Sequence, residues 1–570
     1  MNRTYIAHQS KLKRVINLLI AFGLIISFRY FYVQVLNANQ YSSKIEQKTT
    51  YIKNIAGSRG NIFDRNGILL ATNITKVDLW VNTKEYYDMD SILDFFYENF
   101  NLSKTDTKNL LIKEKANYVP IKKNIILPNL NQIKKQVIPI KGLKIDIHSQ
   151  RFYPYGEVCS QLIGYVDHNG DGKAGVELKF DKVLKGKEKI ERLDRAIGSK
   201  SKNKNKEQYN YTLNGSDIYL TIDIELQKIL YEEIIQGQIN SNAKSASGVI
   251  VNSFNGDVLA IAGSPSFDPN NYEKYSLDKY KNNAISNQYE PGSTIKVIPV
   301  LDTMGSVDFK NLESINCENG EYKISNTTRI IHDHEPHEGL SISEILIHSS
   351  NIGIAKMAEI IGPKDTYKSL RKFGIGAKTG IDLPGEARGS IRNLKSWSRL
   401  SHLMVSIGQE FSLTNIQLSM IYASIANGGY LLKPQIIKKI KSIDREENYT
   451  KIELIRKVMN VDESEQMIEI LKKAVLEGTG RNAIIDEYPI AGKTGTAEKF
   501  INGSYSKDEF VSSFASLFPA SDPVYTCIIS VDSPEYNKHW GNITAAPIAK
   551  EIFLRIIKNN FLYKFNNKLT

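Results

Sequence analysis

The sequence predicts a mixed α/β (α+β) protein. It has an antiparallel sheet flanked by helices, an elongated mixed region before it, and one N-terminal membrane-spanning helix. Three observations carry this prediction. An apolar run occupies Val15–Phe28 and extends to Leu36. Residues 37–215 mix short strands with polar, turn-rich loops. Beyond Asn214-Gly215 the texture changes to strands at both ends with helices between them, which implies one sheet closed by its two termini with helices on both faces. The expected divisions are a tail at 1–14, an anchor at 15–36, a first domain at 37–215, a second at 216–560 and a tail at 561–570.

In chain order, Arg3, Lys11, Lys13 and Arg14 precede the apolar run. A span needs about 20 residues, so the run reaches full length only if Arg29 snorkels, with Tyr30, Phe31 and Tyr32 as an interfacial belt. No small-x-small cleavage site follows it, which favours an uncleaved anchor over a signal peptide. The basic residues ahead of it place the tail inside and the rest of the chain outside. In the first domain, Asn66-Gly67 marks a hairpin. Asp167–Gly172 imitates a calcium loop, but Leu178 stands where the closing Glu belongs, so it reads as a Gly-rich turn. Ser199–Lys206 reads as a solvated loop. In the second domain, helix is expected over Leu226–Ile235, and strands at 247–253 and 258–263 turn at Asn255-Gly256. Helices follow at 293–305, 343–360, 415–427 and 464–477, then strands at 511–518 and 525–531, and a closing helix near 546–558.

Composition narrows function. The chain is 41% apolar with net charge +12, and it has no nucleic-acid reading motif. The basic balance therefore fits an anionic membrane or polymer and implies no nucleic acid. Cys159, Cys317 and Cys527 are far apart, odd in number and without C-x-x-C spacing, which excludes a disulfide scaffold or a cysteine zinc site.

The chemistry concentrates at Tyr289-Glu290-Pro291-Gly292-Ser293-Thr294-Ile295-Lys296. A Pro-Gly turn launches a helix, and Ser293 and Lys296 fall one turn apart on one face. A serine needs an adjacent base, and a lysine forced neutral supplies one. The S-x-x-K pattern alone is cheap, recurring at Ser10/Lys13 and Ser369/Lys372 among others. Two further segments give it meaning. His348-Ser349-Ser350-Asn351 places a hydroxyl and an amide two residues apart, 56 positions after Ser293. Lys493-Thr494-Gly495-Thr496 follows 144 positions after Ser349 and suits an anion-binding edge strand.

In that order the three segments match the S-x-x-K, S-x-N and K-T-G set of penicillin-recognising serine acyltransferases. From residue 58 almost to the end, the chain resembles a class B penicillin-binding protein. Arg59-Gly60 to Gly67, Arg151–Gly156 and Gly175-Val176-Glu177 resemble the pedestal (dimerisation) domain of that class. Pro265–Asn270 resembles the segment before the nucleophile. Phe373–Gly376 to Leu383–Glu386 resembles a family loop, which claims the rival Lys378-Thr379-Gly380. Gly408-Gln409 and Ser424–Gly429 resemble the stretch between the second and third motifs, although Glu410 stands where a small residue is common. Asn351, where elongation-type enzymes tend to carry Asp, and Thr544–Pro547 resemble the septal, cell-division type.

The resemblance implies a penicillin-binding transpeptidase fold and a D,D-transpeptidase of septal peptidoglycan synthesis in the inner (cytoplasmic) membrane, with its catalytic domain outside. Ser293 would be the nucleophile, Lys296 its base, Ser349 a proton relay, and Lys493 the holder of the hydrogen-bond network, lowering Lys296 by like charge. Asn351, Thr494, Gly495 and Thr496 would bind substrate, with the backbone N–H groups of Ser293 and Thr496 as oxyanion hole. The implied partners are stem peptides ending in D-Ala-D-Ala, β-lactams, the membrane, a SEDS-family glycosyltransferase and other division proteins. No glycosyltransferase motif precedes the pedestal, so polymerisation falls to a partner. No cofactor or metal is implied; the spacing His332-x-His334-x-x-His337 tempts a zinc reading but lies in a cleft-side loop where an Asp is usual. The alternatives are an elongation-type transpeptidase, a carboxypeptidase or β-lactamase-like hydrolase, and a penicillin sensor or division scaffold.

Overall fold

A computed structural model of the chain describes residues 2–39, 50–84, 87–114, 116–194, 213–304, 306, 313–325, 327–442, 445–449 and 451–562. The expected loop at 199–206 and the tail from 563 lie outside the described residues. The chain divides into two compact units, residues 1–57 with 186–214, and 58–185 with 215–570.

The first unit holds the helix Asn2–Phe31, continued by a wider turn at Tyr32–Leu36, and an antiparallel pair of strands, Thr50–Ala56 with Glu188–Asp194. Its stretch Lys11–Leu36 is long and apolar enough to cross a membrane.

The second unit is built on two sheets. One of them has five antiparallel strands in the order Ala491–Ile501, Ser504–Phe518, Tyr525–Asp532, Ser245–Asn252, Val258–Ser264. The expected strand pairs 247–253/258–263 and 511–518/525–531, from opposite ends of this stretch, thus share one sheet, as the sequence implied. Alternation along each strand feeds two cores. Ile250, Phe514 and Ile529 pack with Leu230 of the helix Ile224–Ser241 and Phe553 of the helix Gly541–Lys558. Val249, Val251, Ala515 and Ile528 pack the other way, against Ile416, Met420 and Tyr422. Those three lie on Asn415–Ala426, a helix whose twelve residues are all buried. Each such Ile, Leu or Val contributes about 1.5–3 kcal/mol on burial.

The second sheet joins strands from both halves of the sequence. Asp217–Leu220 pairs parallel with Ile62–Phe63 and antiparallel with Ile437–Lys441, and Ile62–Phe63 leads to the long strand Leu69–Asn82. The expected hairpin at Asn66-Gly67 joins Ile62–Phe63 to that strand, with Gly67 at φ +87°. Beside this sheet, the three stretches that resemble the pedestal converge on one ionic cluster. Glu177, fully buried, accepts from Arg59 Nε at 2.6 Å and Arg151 Nε at 2.7 Å, and Arg59 Nη1 also reaches Asp181 at 2.7 Å. The calcium-like loop is a turn: Asp167 accepts from the N–H groups of Asn169 and Asp171 and pairs with Lys173, while Lys185 holds Asp171.

Two expected helices are corrected. The segment 293–305 begins as a tighter 3-10 turn, Gly292–Lys296, before the α-helix Val297–Met304. The segment 343–360 is two helices, Ile342–Ile347 and Asn351–Ile361. The break falls at Ser349, whose φ is +61°, a conformation no helix interior adopts. Apolar residues run through the break because both helices feed one core, Ile345, Leu346 and Ile347 from the first and Ile354 and Met357 from the second, which hid the break from the apolar pattern.

Candidate active site

Ser293 sits in the turn Gly292–Lys296, where residues three apart eclipse one another, so its side chain and that of Lys296 share a face. The turn is fixed from three sides. Gly292 has φ +54°, and a Cβ there would lie 3.0 Å from the Thr496 carbonyl oxygen, so only glycine lets the turn approach the edge strand this closely. Its N–H donates to Gly408 O at 3.1 Å. From beneath, the buried Tyr422 hydroxyl donates to Thr294 O at 2.8 Å.

Lys296 is fully buried, and its Nζ donates to Ser349 O at 2.6 Å, Asn351 Oδ1 at 2.7 Å and Ser349 Oγ at 3.4 Å. Among the described residues it makes no hydrogen bond to Ser293. Burial lowers the Lys296 ammonium to about 7, against an opposing upward pull from Asp333. Lys493 is also buried, and its Nζ donates to Thr479 Oγ1 at 3.2 Å. Burial holds it well below the usual lysine range, and Lys296 pushes it lower still. This corrects the expected direction of influence: desolvation, not Lys493, is what depresses Lys296.

The second segment is positioned by a residue outside the motifs. Asp333 Oδ1 accepts from the N–H groups of Asn351 at 2.6 Å and Ile352 at 3.0 Å, and its Oδ2 accepts from Ser350 Oγ at 2.5 Å. A carboxylate thus meets the positive end of the helix Asn351–Ile361. It holds the turn whose Ser349 and Asn351 face Lys296. The Asn351 amide also donates to His332 O at 2.9 Å, which sets its oxygen toward the lysine.

The third segment is the edge of the five-stranded sheet. Thr494 shares a hydrogen bond of 2.8 Å with Thr479, and Thr496 Oγ1 accepts from Gly541 N at 3.1 Å. At Gly495 a Cβ would lie 2.7 Å from Pro291 O, so glycine again lets strand and turn meet. The structure therefore brings Ser293, Lys296, Ser349, Asn351 and Lys493–Thr496 into one cleft. It sends the rival Lys378-Thr379-Gly380 elsewhere: Glu386 closes that loop on Thr379 N and Oγ1, both at 2.6 Å.

Sequence reasoning did not single out Thr479, Tyr422 or Glu290. Glu290 directly precedes the Pro-Gly turn, and burial raises its carboxyl to about 7. Its Oε1 accepts from Glu410 N at 3.0 Å and Tyr505 OH at 3.2 Å. Glu410 takes φ +63° there, which explains why a small residue is expected, and pairs with Arg392. Glu290, Tyr505 and Glu498 line a cavity of about 980 Å³ that begins three residues from Ser293. The three histidines of the H-x-H-x-x-H spacing do not form one group. His332 lies 3.8 Å from Glu321, His334 packs on Trp540 with ring centres 4.9 Å apart, and His337 turns to His348.

Comparison with known proteins agrees with this geometry. The family model described as the penicillin binding protein transpeptidase domain matches residues 246–554, and that of the penicillin-binding protein dimerisation domain matches 54–220. The chain is 28% identical over 560 residues to the peptidoglycan D,D-transpeptidase FtsI homolog of Mesostigma viride, covering 93% of this chain and 92% of that one. It is 28% identical over 531 residues to peptidoglycan D,D-transpeptidase FtsI of Escherichia coli, covering 91% and 87%. Among solved structures, penicillin binding protein 3 of Mycobacterium tuberculosis in complex with aztreonam is 25% identical, with TM-score 0.68 over 89% of this chain and 97% of that one. Penicillin binding protein 2X of Streptococcus thermophilus shares the fold at TM-score 0.75 and 21% identity, over 90% and 81%. With a transpeptidase domain matching more than half its length behind a dimerisation domain, the chain belongs to the class B penicillin-binding proteins.

Proposed function

We propose that this protein is a peptidoglycan D,D-transpeptidase that cross-links stem peptides through an acyl-enzyme at Ser293. The observation that supports this most is the state of Lys296. It is buried, lowered to about 7, on the same face of the turn as Ser293 and bonded to Ser349 and Asn351. A neutral amine there takes the Ser293 proton as Oγ attacks the penultimate D-Ala carbonyl. The N–H groups of Ser293 and Thr496 hold the developing oxyanion, an effect worth ~3 kcal/mol per donor. Ser349 hands a proton to the departing D-Ala, and Asn351 holds the peptide amide. The terminal carboxylate meets Thr494, Thr496 and Lys493. Its negative charge favours the ammonium form of Lys493, which burial and the charge of Lys296 disfavour. An amine from a neighbouring stem then resolves the acyl-enzyme, and a β-lactam in the donor's place leaves Ser293 acylated.

The same reading gives residues 1–14 as a cytoplasmic tail, 15–36 as the anchor, 37–215 as the pedestal and 216–560 as the catalytic domain on the outer side of the inner membrane. Asn351 and the FtsI relatives support a septal role, with a SEDS-family glycosyltransferase and other division proteins as partners. Depletion tests that role: filaments agree with it, and round cells favour elongation. The activity is tested on the full-length protein with a donor peptide ending in D-Ala-D-Ala and an acceptor amine. D-Ala release with a cross-linked product, both lost in Ser293→Ala, is expected. Hydrolysis alone in the presence of acceptor points instead to a carboxypeptidase.

A further inference from the structure

Beside the cleft, the segment Glu335–His337 and the turn at His348 bring metal-binding side chains together. One donor atom from each of Glu335, His337 and His348 lies within 4.8 Å of the other two. The two imidazole rings stand 4.9 Å apart, half-buried, and the carboxylate is exposed, so an ion reaches the group from solvent. Two imidazoles and one carboxylate form a donor set for a borderline divalent ion such as zinc, with a fourth position left for water. Ligand distances of about 2.0–2.2 Å require donor atoms roughly 3.3 Å apart. Side-chain rotation of up to about 1.5 Å closes that gap, most of it open to the exposed Glu335. The carboxylate of Glu344, held by Ser341 at the start of the helix Ile342–Ile347, lies near both histidines and adds negative potential. The three cysteines are buried and do not compete for the ion.

We propose that Glu335, His337 and His348 bind a divalent transition-metal ion, zinc in the first instance, and that the ion braces the turn carrying Ser349. The two segments it would link are the ones Asp333 already joins through Ser350, Asn351 and Ile352. His348 directly precedes Ser349, whose left-handed backbone depends on that joining. A metal tie at His348 acts on the same turn from its other end.

The test uses the full-length protein in detergent, stripped with chelator and titrated with Zn²⁺ against a chromogenic competitor. One ion per chain is expected. H337N and H348N should each weaken binding at least tenfold, while H332N and H334N leave it unchanged. Fluorescent penicillin labelling confirms that each variant is folded, and E335Q supplies the same comparison should a histidine variant fail to fold. Zinc should also slow amide hydrogen exchange at 349–352 in the parent protein and not in H337N. No uptake of zinc, or uptake that H337N and H348N share with the parent, overturns the site. Uptake with unchanged exchange at 349–352 overturns the bracing.

Discussion

A lysine side chain ordinarily keeps its proton to about pH 10.4, so the base role proposed for Lys296 depends on the fold stripping its water away. The protonated form is inactive as a base. With Lys296 lowered to about 7, β-lactam acylation of Ser293 should rise with pH up to about 7 and level off above it, measured as second-order rate constants. A rate that still climbs tenfold per unit between pH 8 and 10 would mean an ordinary lysine. At this scale the sequence was most informative. Ser293, Lys296, Ser349, Asn351 and Lys493 were legible because short motifs in a fixed order carry their own context. Thr479 and Tyr422 were not, because a hydroxyl reaching across the fold leaves no mark in its own neighbourhood.

Helix boundaries were the weaker reading. The apolar stretch 343–360 concealed the break at Ser349, since both flanking helices bury apolar residues in one core. What holds the break is Asp333, 16 positions earlier in the chain, a partnership no local pattern records. Asp333→Asn removes a carboxylate from the start of the helix Asn351–Ile361 and should cost about 1 kcal/mol of stability, read from a urea midpoint. It also removes the upward pull on Lys296, so the midpoint of the acylation pH profile should move to lower pH. A midpoint that stays or moves up would show that Asp333 does not act on Lys296 by charge. The edge strand, by contrast, was legible from Lys493-Thr494-Gly495-Thr496, because a glycine between two threonines suits both strand alternation and close approach of the turn at Pro291.

Across the whole molecule, the closed sheet followed from strand patterns at both ends of the catalytic region. The other sheet did not, because its strands come from distant parts of the chain and shift register where they pair. Its neighbouring ionic cluster explains three otherwise scattered stretches: Arg59, Arg151 and Glu177 were visible as motifs, and the structure makes them one buried unit. Glu177→Gln takes from Arg151 its carboxylate partner and leaves Arg59 with Asp181 alone, and should cost about 3–5 kcal/mol, seen as a lower urea midpoint. An unchanged midpoint would contradict a structural role for the cluster. The central claim is that these parts serve one nucleophile. Intact-mass and peptide-mapping spectrometry of the full-length protein after benzylpenicillin tests it most directly. One adduct per chain, mapped to Ser293 and lost in Ser293→Ala, is the predicted result. An adduct on another residue, or one retained by Ser293→Ala, would contradict it.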